Sequence, residues 1–156
     1  MDYLLTSALS NGGLYRGAPA MLSRIFLFKV NISVNLDINM KEIVFYRMES
    51  GRCPVEEFLD SLTDKQAQKV VWVMQLVEEM EIVPAQYFKK LTGTDELWEM
   101  RVQFATDIFR LLGFFDGSNV IVLNHAFQKK SKKAPRQEIS ISETRKREYL
   151  NRRFKN

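Results

Sequence analysis

Residues 97–127 have the sequence LWEMRVQFATDIFRLLGFFDGSNVIVLNHAF, and this stretch predicts three consecutive strands. In the first strand, 97–104, the even positions from Trp98 to Phe104 are apolar, which matches the two-residue period of a strand. The second strand, 107–115, ends at an Asp-Gly dipeptide, which is typical of a hairpin turn, and the third covers 120–127. Such short connections favour antiparallel neighbours in one sheet.

The flanking segments complete the predicted fold. Residues 42–48 predict a strand, and Pro54 suits the first position of a helix over 54–62. A second helix is expected to be capped by Thr63 or Asp64. Residues 136–153 predict a last helix. We therefore expect an α+β fold with a small, mostly antiparallel sheet, two N-terminal helices packed on one face and a basic C-terminal helix.

The N-terminal 40 residues differ from the rest of the chain. Residues 29–39 alternate between apolar and polar side chains, as a strand does, but no chemistry is assigned to them. Two interpretations stay open for residues 1–40: an extension that adds a strand, or an artefact of an upstream start. Residues 41–156 form the predicted domain, in line with the size of a single domain.

Composition excludes several classes of protein. The chain has 156 residues and 46% hydrophobic residues, enough to build a core, so it is not expected to be disordered. Its one cysteine, Cys53, excludes an internal disulfide framework and most cysteine-based zinc sites. No apolar run approaches the roughly 18 residues that span a bilayer, and no signal peptide is evident, so we expect a cytoplasmic protein with no membrane partner.

The charges of the chain are strongly segregated. From Phe127 onward, eleven basic side chains oppose three acidic ones, a net of +8. Residues 41–126 carry nine basic and fourteen acidic side chains, a net of −5. A polarised chain of this kind indicates a polyanionic partner, but a solvated, charged helix would give the same pattern. Charge alone leaves both interpretations open.

The residues able to carry chemistry are few. The sequence has one histidine and no spacing typical of a metal site, a phosphate-binding loop or a serine triad, so no metal and no cofactor are expected. His125, Arg101, Arg110 and a lysine cluster remain, and these suit metal-independent RNA cleavage. Each has a structural alternative: a packed histidine, arginines paired with Glu99 or Asp107, and a solvated lysine loop.

The segments LWEMRV, IFRLLGFFDG and VIVLNHAFQKKSKKAPRQEISISETRKREYL, with PVEEFL at 54–59, resemble the phage-derived branch of the RelE/HigB toxin superfamily. The resemblance covers about residues 41–150 and implies the RelE/ParE-like form of the α+β fold. It implies the toxin of a type II toxin–antitoxin pair, an endoribonuclease that cleaves messenger RNA in the ribosomal A site. Its implied partners are the ribosome, messenger RNA and a cognate antitoxin, which is often a helix-turn-helix protein. The toxin would contact DNA only indirectly, through that antitoxin.

The resemblance also implies which residues form the site. The catalytic positions are Arg101, Arg110, His125, Lys129 and Lys130, and the RNA-binding positions are Lys132, Lys133, Arg136, Arg145 and Arg147. The arginines would stabilise phosphate charge, and His125 or a lysine from 129–133 would transfer protons. One departure stands out, because Gly113 and Phe114 lie near the place where relatives often have tyrosine or another polar residue.

Two alternative functions stay open. A ParE-like toxin that poisons DNA gyrase by protein contact would not need His125, and a decayed toxin would only bind its antitoxin.

Alternation places Leu112 and Phe114 on an open face of the sheet beside Arg110, with Ile121 and Leu123 as further members. We expect such an apolar patch to be covered either by the N-terminal alternating segment, folded back as a strand, or by an antitoxin element.

Overall fold

The computed structural model describes residues 40–130 and 136–155. The predictions for residues 1–39, and those for Lys132 and Lys133, lie outside the described residues. In chain order the elements are β1 (Glu42–Phe45), α1 (Pro54–Asp60), α2 (Asp64–Glu79), β2 (Phe88–Lys90), β3 (Trp98–Phe104), β4 (Asp107–Asp116), β5 (Val120–Gln128) and α3 (Arg136–Lys155). None of these described helices is long and apolar enough to cross a membrane.

The sheet has the strand order β1-β5-β4-β3-β2. Only the β1–β5 pair is parallel, and the other three pairs are antiparallel, so the predicted α+β fold with a mostly antiparallel sheet is confirmed. Gly117 closes the β4–β5 hairpin at φ 78°, a conformation that favours glycine. The sequence did not predict β2, a three-residue edge strand that is too short to show a period.

The two N-terminal helices cover one face of the sheet, as predicted. Phe58 of α1 meets Phe109 of β4 edge to face, with ring centroids 5.9 Å apart. Thr63 is the N-cap of α2, where its side chain accepts a hydrogen bond from the Gln66 N–H while the Gln66 side chain accepts one from the Thr63 N–H. This reciprocal capping box fixes where the longer helix begins.

The C-terminal helix α3 packs on the opposite face of the sheet. Its Tyr149 ring lies 5.5 Å from Phe114 of β4, and alternation along β4 places Phe114 on the same side as Arg110. Polar contacts hold the helix down: Asn124 Nδ2 donates to the Ser142 carbonyl (2.8 Å), and Ser142 Oγ donates to Asn124 Oδ1 (2.6 Å). Both residues are fully buried.

A second polar anchor joins α3 to Tyr46, the residue that follows β1. The Tyr46 hydroxyl donates to Glu148 Oε2 at 2.5 Å. Burial, together with the hydrogen bond and the charge of Glu148, raises the pKa of Tyr46 to about 12, so this phenol stays protonated as a donor. At the other side of the helix, Lys146 Nζ donates to the Asp95 carbonyl oxygen at 2.6 Å.

The prediction of an open apolar patch is wrong. Phe114 is only 1% exposed because α3 lies over it, and Leu112 is fully buried on the same face. Ile121 and Leu123 are also buried, and the pairing of Ile121 with Phe115 puts them on the face that carries α1. These four side chains are core, so they offer no docking surface for an antitoxin.

A β-bulge in β5 determines the face of the sheet on which His125 lies. Leu112 pairs with His125 and Gly113 with Leu123, so Asn124 is an extra residue on β5. As a result His125 shares the face of Arg110, and not that of Ile121 and Leu123 as simple alternation predicts. The bulge also requires the glycine, since a Cβ at Gly113 would lie 2.4 Å from the carbonyl oxygen of Val122.

Candidate functional site

Arg101 and Arg110 lie opposite each other on β3 and β4. Directly paired residues of antiparallel strands point to the same side, so the two guanidinium groups share the face away from α1 and α2. Like charges in this position repel each other. A stable pair of this kind therefore needs a nearby carboxylate.

Glu99 supplies that carboxylate. It lies two residues before Arg101 on the same face, is 1% exposed, and its Oε2 is 2.9 Å from Arg110 Nη1. The alternative that the arginines pair with Glu99 is thus correct for Arg110, whereas Asp107 accepts from Gln66 (3.0 Å) and Gln128 (2.9 Å). Sequence reasoning did not count Glu99 as a site residue, although its spacing from Arg101 was a signal.

Hydrogen bonding around this carboxylate is incomplete. The 2.9 Å contact to Arg110 is an ion pair whose N–H is not aligned for a hydrogen bond. Within the part of the chain that the structure describes, Glu99 Oε1, Arg101 Nε and Arg110 Nε are also buried without a hydrogen-bond partner. Folded proteins rarely leave buried polar atoms unsatisfied outside functional or strained places. The arrangement therefore marks the β3–β4 face as a candidate site.

Lys129 joins this cluster from the end of β5. Its backbone N–H donates to the Ile108 carbonyl at 2.7 Å, which extends the pairing with β4 past the strand. Burial lowers the pKa of Lys129, and the positive charges of Arg110 and Arg101 lower it further. A lysine with a lowered pKa has a larger neutral fraction and is better suited to proton transfer. The next residue, Lys130, is exposed.

His125 is held by α3 through both ring nitrogens. Arg145 Nη1 lies 2.8 Å from Nδ1, and because a guanidinium only donates, Nδ1 carries no proton. The proton is then on Nε2, which contacts the Glu138 carboxylate. Burial lowers the pKa of His125 and the charge of Arg145 acts in the same direction, while Glu138 opposes both. A neutral imidazole with both nitrogens engaged is placed to join sheet and helix.

The predicted RNA-binding arginines of α3 are not equivalent. Arg136 and Arg147 are exposed on the helix surface. Arg145 instead turns inward, where Nη1 donates to the Asn124 carbonyl (2.9 Å) as well as to His125, and burial lowers its pKa. The structure thus brings Arg101, Arg110 and Lys129 together, and it engages His125 and Arg145 with each other beside them.

Metal ligands and the cysteine thiol are the other groups that could carry chemistry. Within residues 40–130 and 136–155, no group of three His, Cys, Asp or Glu side chains is placed to hold a metal ion. Cys53 is 3% exposed, and burial raises its pKa to about 11, so its thiol stays protonated and serves as a packing group before α1.

Comparison with known proteins identifies a family to which the chain is similar. No curated protein matches the sequence. A family model described as phage derived protein Gp49-like (DUF891) matches residues 57–147, which are 91 of the 156 residues and include the whole Arg101–Arg110–Lys129 cluster. The chain belongs to the Gp49-like family of phage-derived proteins, a RelE/ParE-like toxin family of toxin–antitoxin systems.

Proposed function

We propose that this protein is a toxin that cleaves messenger RNA on the ribosome without a metal ion, and that the scissile phosphate binds between Arg101, Arg110 and Lys129. The observation that supports this is the convergence of three cations on one sheet face around a single buried carboxylate, Glu99. Three cations and one carboxylate give the cluster a net charge of +2 when Lys129 is protonated and +1 when it is neutral, and either charge suits a phosphodiester and its more highly charged transition state.

The chemistry uses the RNA's own 2′-hydroxyl as the nucleophile. Neutral Lys129 takes the proton of that hydroxyl as its oxygen bonds to phosphorus. The bond from phosphorus to the 5′-oxygen breaks, and Lys130 supplies the proton that the departing oxygen needs. Arg101 and Arg110 stabilise the pentavalent phosphate by hydrogen bonds and charge. The products are a 2′,3′-cyclic phosphate and a 5′-hydroxyl, and no co-reactant is consumed.

His125 has a positioning role in this proposal. It ties β5 to α3 through Arg145 and Glu138, and Lys129 follows four residues later on the same strand end. The exposed arginines of α3, Arg136 and Arg147, extend the basic surface toward ribosomal RNA. Binding through such contacts weakens as salt rises, because each phosphate contact releases counterions.

The proposal includes a silencing partner. Membership of a RelE/ParE-like toxin family supports a cognate antitoxin, for which a helix-turn-helix protein is our candidate, and DNA is contacted only through it. An acidic element of that partner would complement the basic surface of α3.

Induced expression of the chain is expected to stop growth and to cut translated messages, which growth curves and RNA sequencing measure. Arg101→Ala should lower the cleavage rate about 100- to 1,000-fold, the usual loss of one transition-state donor. Arg101 is chosen because Arg110 is the ion-pair partner of buried Glu99. The control is Arg52→Ala, which removes an exposed arginine that pairs with Glu57, and it should stay toxic.

Two outcomes would contradict the proposal. Growth arrest with every message intact would favour a gyrase poison of the ParE type. Full toxicity of Arg101→Ala, with cleavage equal to that of Arg52→Ala, would mean that the sheet face is not the site of the chemistry.

A further inference from the structure

A lysine at the sheet edge lies on the same face as the cation cluster. Lys89 of β2 pairs with Glu99 of β3, and directly paired residues of antiparallel strands point to one side. Neighbouring strands are about 5 Å apart, so β2 lies one strand beyond the Arg101–Arg110 pair at the open edge of the sheet. A nucleic-acid strand that leaves the cluster in this direction passes over Lys89.

The two lysines of β2 differ in orientation and in partners. Lys90 pairs with Trp98 on the other side of the sheet, and its Nζ is 2.5 Å from Glu96 Oε2. Lys89 is exposed, and among residues 40–130 and 136–155 no carboxylate is within ion-pair distance of it; buried Glu99 pairs with Arg110 instead. Of the two charges, only that of Lys89 is free on the site face.

Lys89 is also electrostatically part of the cluster. Its positive charge contributes to the lowered pKa of Lys129, after the larger effects of burial, Arg110 and Arg101. Within the part of the chain that the structure describes, no carboxylate offsets the cost of placing one more cation on a face that is already positive. An anion bound along this face would offset that cost.

We propose that Lys89 is a positioning residue that binds the RNA phosphate next to the scissile one, so that the site grips two consecutive phosphates of a single strand. The inference rests on the proposed function and deepens it, because it gives the direction of the RNA across the sheet, from β4 over β3 to the β2 edge. Lys89 takes no part in proton transfer.

The test compares Lys89→Ala with Lys90→Ala, two adjacent lysines of one strand. Binding is measured to ribosomes programmed with a message whose A-site codon carries 2′-deoxy nucleotides, so that no cleavage occurs, over a series of salt concentrations. We expect Lys89→Ala to weaken binding several-fold and to reduce the slope of log affinity against log salt by about 0.7, the loss of one single-strand phosphate contact. Lys90→Ala should match the wild type in both.

A purely structural role for Lys89 would change the stability of the protein and leave the salt slope as it is. Equal salt slopes for Lys89→Ala and Lys90→Ala, with Arg101→Ala still defective in cleavage, would overturn this inference and leave the proposed function standing. A wild-type protein that neither binds the programmed ribosomes nor cleaves the unmodified message would overturn both. On the cleavable message, Lys89→Ala should raise KM and leave kcat nearly unchanged; a fall in kcat alone would contradict a positioning role.

Discussion

Replacing Glu99 with alanine is expected to lower the free energy of unfolding by about 3–5 kcal/mol, because removal of one partner leaves a buried charge uncompensated. The remaining charge is that of Arg110, which is 6% exposed and faces Arg101 across the β3–β4 ladder. Urea unfolding followed by tryptophan fluorescence measures the change. Glu96→Ala is the matched control, since Glu96 pairs with Lys90 at the surface and should contribute at most about 1 kcal/mol.

A double variant separates the charge effect from packing. Glu99→Leu combined with Arg110→Met replaces the buried ion pair with apolar groups, and we expect it to recover most of the lost stability. The double variant should remain inactive in RNA cleavage because it lacks the guanidinium group of Arg110, one of the two that bind the phosphate. If Glu99→Ala costs no more than Glu96→Ala, the carboxylate does not hold the arginine pair in place and the electrostatic account of the face is wrong.

Lys129→Arg is expected to lower kcat for RNA cleavage about 100- to 10,000-fold, the usual contribution of general acid–base catalysis. The variant keeps a positive charge at the same place, but a guanidinium does not deprotonate at accessible pH and cannot act as a base. RNA binding, measured as KM, should change little. The control is Lys90→Arg, an exposed lysine on the other side of the sheet, which should keep the wild-type rate.

The assignment of Lys129 as the base also predicts how the cleavage rate changes with pH. Lys129 must be neutral to accept a proton, so the rate of the wild type should rise with pH and level off near the pKa of this lysine. Burial and the nearby arginines place that pKa below the ordinary 10.5, so the plateau begins at a lower pH than a free lysine would give. Lys129→Arg should lose this rise. A variant with the wild-type rate and profile would show that another group is the base.

The parts of the site that follow simple strand periodicity could be predicted from sequence. No bulge separates Arg101 from Arg110 in the β3–β4 ladder, so alternation and the short turn between the strands were enough to place both on one face. The proline that begins α1 and the cap of α2 are local signals, and the structure bears out the helices that they predicted.

The remaining features depend on contacts between distant residues. Asn124 forms the bulge that turns His125, and its partner Ser142 is 18 residues away on α3. The hydrophobic pattern of α3 is weak. Ile139, Tyr149 and Leu150 pack against the cluster around Phe114, but the two buried residues of the helix, Ser142 and Lys146, are polar. Periodicity shows which side chains of a strand share a face. It does not show that a largely polar helix covers that face.

The measurement that tests the central claim most directly is the chemistry of the cut ends of RNA. Programmed ribosomes are incubated with the purified protein, and the ends of both fragments are identified by enzymatic labelling and mass spectrometry. We expect a 2′,3′-cyclic phosphate on the upstream fragment and a 5′-hydroxyl on the downstream one, and no cleavage where the attacking nucleotide is 2′-deoxy. Cleavage that persists on the 2′-deoxy message and leaves a 5′-phosphate would contradict the account.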